Sequence, residues 1–229
     1  MTTTPDLIET LVASATPVRR LRPPLVRAGL WLLFAAFLLG LIGIALGLRS
    51  DIFECVRQPR FVVAMLGALA TGILAALASF RVSLPDGSRR WLLLPLPALA
   101  LWVSTIGYGC LTDWISIGPQ GVRSGEAVRC FATLLLTSVP LWIALLVMLR
   151  HAARLRPTEV SLMGGLAVAA FTSCALSLFH DLDASVMILI WNLGSAAALA
   201  AFSVVFGRPM FAWAAARLTP PQDRPASAP

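Results

Sequence analysis

The sequence predicts an all-α polytopic membrane protein of about six transmembrane helices, preceded by a short cytoplasmic amphipathic helix. Three observations carry that prediction. Of 229 residues, 58% are hydrophobic and only 13% charged, where a soluble domain carries about 25% charge. The apolar residues gather into six runs, each of roughly 20 residues, enough at about 1.5 Å per residue to cross a hydrocarbon core of about 30 Å. The basic residues are all arginine, and they lie in the breaks between the runs.

The chain divides into a cytoplasmic partner-binding segment over residues 1–27, a six-helix bundle over 28–206 and a tail over 207–229. In the first segment Thr4 and Pro5 suit a helix start, and Asp6 and Glu9 favour the positive end of its dipole. Leu7, Ile8, Leu11, Val12 and Ala15 recur on one helical face. Such a short helix is unstable alone, so its apolar face has to be covered by membrane, bundle or another protein. Its acidic charge argues against anionic lipid and for a partner protein. Pro17, Val18, the arginines 19, 20 and 22, Leu21, Pro23 and Pro24 form an extended basic lead into the first span.

The six spans run over residues 28–48, 61–80, 91–110, 130–149, 160–179 and 186–206, none with an internal charge. Pro95 and Pro97 are expected to kink the third and Pro140 the fourth, since each removes a backbone donor. Alternate connections on one side hold thirteen of the eighteen arginines. Basic residues are retained in the cytoplasm, so both termini are expected there, in a bacterial inner membrane. Gly43 and Gly47 suggest close packing in the first helix. The tail beyond Leu218, with Pro220, Pro221, Pro225 and Pro229, is too polar and proline-rich to fold.

The formal charge of +7 follows the flanks of the spans rather than one basic face, which argues against nucleic acid and leaves lipid as the natural neighbour. An enzyme is not expected: the sequence has no HExxH and no Ser/His/Asp set. No cofactor is implied. A small-solute transporter or channel is the alternative function, and it would need a polar path through the spans. The intramembrane polar residues Asn192, Ser195, Thr105, Tyr108, Thr133, Thr137, Thr172 and Ser173 are expected instead to hydrogen-bond between helices.

The cysteines share one side. Cys55 falls in the first periplasmic loop, Cys110 and Cys130 bracket the second, and Cys174 lies just inside the periplasmic end of the fifth helix. In an oxidising compartment Cys110 and Cys130 can form a disulfide or bind thiol-seeking metals, or they can serve as small apolar fillers. His180 sits in a turn with Asp181 and Asp183, a metal-ligating set of residue types that reads more readily as a helix end followed by a cap.

Asp6-Leu7-Ile8 with Leu11, Pro17-Val18, Leu21 and Pro23-Pro24, followed by six spans, resembles the NrsF family of membrane anti-sigma factors. Arg81, Arg89-Arg90-Trp91, Gly107-Tyr108-Gly109-Cys110 with Asp113-Trp114, and Trp191 extend the resemblance to about Trp213. It implies that an extracytoplasmic-function sigma factor is held through Asp6, Leu7, Ile8, Leu11, Val12, Pro17, Val18 and Leu21 and released on an envelope stress sensed by cysteines. The family pattern has a second cysteine before the last helix, where this chain has Phe179-His180-Asp181. The sensing set implied here is therefore Cys110 with Cys130, or Cys174 in place of the missing partner, with Cys55 on the same side.

Overall fold

The computed structural model describes residues 4–13, 22–47, 49–105, 124–150 and 156–179, together with Gly194, Ala201, Val205, Phe206 and Pro209. The described residues are helical, with no strand among them. In chain order the helices are α1 (Thr4–Ala13), α2 (Pro24–Leu46), α3 (Ile52–Arg57), α4 (Pro59–Val82), α5 (residues 96–105), α6 (Ser124–Leu149) and α7 (Pro157–Phe179), with a 3₁₀ turn over Arg89–Leu93 before α5.

Four of these, α2, α4, α6 and α7, are long and apolar enough to cross a membrane. The expected count is about six; the described residues hold four helices of that length, not six. The sixth run falls almost entirely outside them, and the third is only partly described.

The third run also starts differently. Trp91 lies in the 3₁₀ turn, and the α-helix begins only after Pro95, whose carbonyl accepts a hydrogen bond from the Leu99 amide at 2.8 Å. Pro95 and Pro97 therefore mark the start of α5 rather than kinking it, because a first helical turn has no use for the missing N–H groups. Pro140 does lie inside α6.

α7 is the central helix. Its apolar stretch is 78% buried against 17% for that of α2. It packs most extensively on α4, and that closeness depends on small residues. Ala68, Ala75 and Ala76 of α4 share buried clusters with Ala167, Val168, Ala170 and Phe171 of α7. A side chain at Gly72 would come within 3.0 Å of the Phe171 ring. The Ser79 hydroxyl donates to the Val160 carbonyl at 3.1 Å and ties the two helices at one end. On the α6 side, a Cβ at Gly164 would lie 2.2 Å from Leu145 Cδ2, so the glycine is what lets α6 approach.

α2 joins this core by a narrow stripe. Ala28, Trp31, Ala35 and Ile42 are buried, and Leu38 is partly so, at alternating steps of three and four residues, the spacing of a helix that buries one seam. Trp31 is its anchor. Its indole Nε1 donates to the Leu141 carbonyl of α6 at 3.1 Å. Its ring meets Phe171 of α7 edge-on, with centroids 5.7 Å apart. Leu33, Phe37, Leu41 and Ile44 on the rest of α2 are exposed.

Gly47 has a different role from the packing expected of it. With φ at +78°, a backbone conformation open chiefly to glycine, it ends α2 and returns its amide to the Gly43 carbonyl at 3.0 Å. Gly43 does make a close approach, to the Phe179 ring.

Trp31→Ala is expected to destabilise the bundle by about 3–5 kcal/mol, because a large buried ring and its interhelical bond are lost together. Trp31→Phe should cost less, since the packing is largely kept. Reversible unfolding in mixed detergent micelles, followed by circular dichroism, measures both.

Candidate functional site

The helix ends sort the arginines into two groups. At one end meet the start of α2, the end of α4, the end of α6 and the start of α7. Arg27, Arg81, Arg89, Arg90, Arg150 and Arg156 belong to it. At the other end the α2–α3 connection touches the end of α7, the Arg49 amide donating to the Leu178 carbonyl at 3.1 Å.

The first end is knitted by arginine. Sequence spacing placed Arg27 before the first span as a flanking charge. The structure starts α2 at Pro24 and buries Arg27 in its first turn. Its Nη2 donates to the Met148 carbonyl near the end of α6, and the guanidinium lies 5.4 Å from the centre of the Phe80 ring. A late-helix carbonyl carries partial negative charge, and an aromatic face attracts a cation, so both partners suit an arginine in this position. Pro24 was the available signal: proline favours the first helical turn, which would have put Arg27 inside the helix. Around it Arg81 stacks on Trp91 at 4.9 Å, and Arg156 donates to the Gly87 carbonyl at 2.6 Å. Arg89 reaches Glu159 at 3.4 Å.

α1 belongs to the same chain end. It carries Asp6 in its first turn, and Ile8 and Val12, one helical turn apart, are 55% and 69% exposed. An apolar face is therefore presented rather than packed away. Leu7 and Leu11 lie on the same helix. Pro17, Val18 and Leu21 lie outside the described residues.

The other end holds two of the four cysteines' neighbours in detail. Arg49 is buried and grips Asp51 through two hydrogen bonds, Nε to Oδ1 at 2.5 Å and Nη2 to Oδ2 at 2.6 Å. That guanidinium holds the Asp51 carboxyl down at about 2, aided by the Cys55 thiol, whose Sγ donates to Oδ2 at 3.6 Å. Cys55 is buried on α3, a short helix that its loop assignment did not anticipate. Cys174 is buried among Ala68, Trp102 and Ala170. Cys174 is a free thiol. Cys130 lies on α6. Cys110 and His180 lie outside the described residues. Among the described residues no three His, Cys, Asp or Glu side chains group as a metal site would require.

Intramembrane hydroxyls behave differently from expectation. Thr137 donates to the Thr133 carbonyl and Thr105 to the Trp102 carbonyl, each at 2.7 Å and within its own helix. Among the described residues, bonds that cross between helices include those from Trp31, Ser79 and Arg27. Asn192, Ser195 and Tyr108 lie outside the described residues.

A bundle with four helices of membrane-spanning length, an amphipathic helix at its amino end and arginines gathered at one end of the helices is the class of protein that these features define. Within that class the chain belongs to the NrsF family, negative regulator of sigma F, whose pattern it matches over residues 11–213. The match starts within α1, later than the resemblance from Asp6, and runs to Trp213. No curated protein and no solved structure matches the chain.

Asp51 supplies a pH test of the Arg49 pair. A carboxyl with a lowered folded pKa stabilises the fold above its usual value near 3.8 and loses that contribution as pH falls through about 2. Carboxyl titration by infrared difference spectroscopy should find the Asp51 midpoint near 2, and Arg49→Gln should move it up toward the usual value.

Proposed function

We propose that this chain is a membrane-bound anti-sigma factor. It holds an extracytoplasmic-function sigma factor at the inner membrane through its cytoplasmic amino-terminal segment and releases it on a periplasmic or envelope stress signal. The family match over residues 11–213 carries this reading. The geometry of α1 supports it. Ile8 and Val12 offer an apolar face of the kind that an amphipathic helix lays into a groove of its partner. Leu7, Leu11, Pro17, Val18 and Leu21, with Asp6 at the helix start, complete the proposed contact. Four helices of spanning length support anchorage in a membrane, and the arginine bias of the connections supports cytoplasmic termini.

Cysteine sensing is part of the proposal. Cys110 and Cys130 are the first choice, because they bracket one connection on the arginine-poor side. Cys55 and Cys174 are buried thiols, so oxidants and metal ions would reach them only after the surrounding helices part. His180 would be an auxiliary metal ligand.

Deleting the residues before Pro23 should leave membrane insertion intact and abolish capture of an extracytoplasmic-function sigma factor, read by pull-down from detergent extracts. Ile8→Asp with Val12→Asp should weaken capture at least tenfold without changing the melting of the bundle. Unchanged capture by both variants would exclude the segment. For the cysteines, Cys110→Ser with Cys130→Ser is expected to keep repression in unstressed cells while blunting induction by oxidant or thiol-binding metal ions, measured with a sigma-dependent reporter.

A further inference from the structure

Beside the arginine-knitted end lies a shallow open groove of about 420 Å³, lined by Arg90, Trp91, Leu93, Leu94 and Pro97. It runs from the 3₁₀ turn to the first turn of α5. Its wall is apolar except at one point, where Arg90 stands exposed at its mouth. Trp91 on that wall is backed by the Arg81 guanidinium at 4.9 Å. The Arg81 Nε is buried there with no hydrogen-bond partner among the described residues. An apolar furrow with cationic nitrogen at its upper edge and an indole between is complementary to a molecule that has an anionic head and a hydrocarbon tail. Tryptophan and arginine favour the depth of the lipid headgroups, and an apolar furrow open to one side suits an acyl chain more than a soluble solute.

We infer that this groove is a binding site for one anionic phospholipid, its phosphate drawn to Arg90 and an acyl chain laid along Trp91, Leu94 and Pro97. The inference rests on the membrane-spanning reading and is independent of which sigma factor is held. Its occupant is neither a soluble anion, which would leave the furrow uncovered, nor a zwitterionic lipid, whose head carries no net charge to reward Arg90.

Native mass spectrometry of the full chain, released from detergent with equal amounts of phosphatidylglycerol and phosphatidylcholine, tests it. One arginine near a membrane surface contributes about 1 kcal/mol toward an anionic lipid, or about fivefold in affinity. The wild-type chain should retain a single phosphatidylglycerol in preference to phosphatidylcholine. Arg90→Gln should reduce that preference about fivefold, whereas Arg57→Gln, at the far end of the bundle, should leave it unchanged. Glycerol phosphate in excess should not displace the lipid. Equal retention of the two lipids by the wild type, equal losses in the two variants, or displacement by glycerol phosphate would each overturn the site. Sigma capture in lipid-free detergent involves no such lipid, so failure there is read separately.

Discussion

The bond from the Trp31 indole to the Leu141 carbonyl is the constraint on which the arrangement of the described helices turns. Apart from Arg27 at its start, α2 offers the bundle no other directional side-chain bond among the described residues. Its surface is almost uniformly apolar, so hydrophobicity cannot tell one face from another once hydrocarbon surrounds it. A directional donor can. Trp31 selects the stripe of Ala28, Ala35, Leu38 and Ile42 as the inward face and leaves Leu33, Phe37 and Ile44 outward. Its edge contact to Phe171 then brings α2 against α7 as well as α6. Phe171 in turn closes over Gly72 of α4, so one tryptophan and one phenylalanine connect all four helices of spanning length.

Polar groups elsewhere in the core follow the same logic at different strengths. Thr71 and Thr137 satisfy their hydroxyls on carbonyls one turn back, a local solution that asks nothing of a neighbouring helix and adds nothing to helix pairing. Ser79 reaches across to Val160 and therefore fixes the register of α4 on α7. Arg27 is the extreme case. A buried guanidinium is tolerable only where carbonyl and aromatic partners replace its water, and Met148 and Phe80 supply both kinds. The start of α2 is in this way tied to the ends of α6 and α4.

Apolar run length made the four described helices of spanning length legible, with ends that differ by none to six residues. The ends were read less well, for a common reason. Hydropathy marks where hydrocarbon begins, whereas a helix begins where its backbone can. Pro24 opens α2 before Arg27, and Pro95 opens α5 after Trp91, both because proline suits a first turn. Arg27 read as a flanking charge because nothing in a linear pattern shows a carbonyl waiting on another helix, and Arg49 because a neighbouring Asp51 does not by itself reveal burial. Gly47 read as a packing residue because spacing alone does not reveal a positive φ. The helix α1 was legible, since its capping residues and apolar spacing are a local pattern. The surroundings of Cys55 and Cys174 were not, since burial on α3 and α7 depends on which helices become neighbours.

The proposed function also explains why α1 is short and unpacked. An isolated helix of ten residues is marginal in water, so a partner that covers Ile8 and Val12 must also order the helix and spend part of its binding free energy doing so. Affinity is then moderated without weakening the apolar contact itself. Such an arrangement favours release. A signal that shifts the capture equilibrium by a few kcal/mol suffices to free the partner. Had the apolar face of α1 been buried in the bundle, the same signal would first have had to extract it.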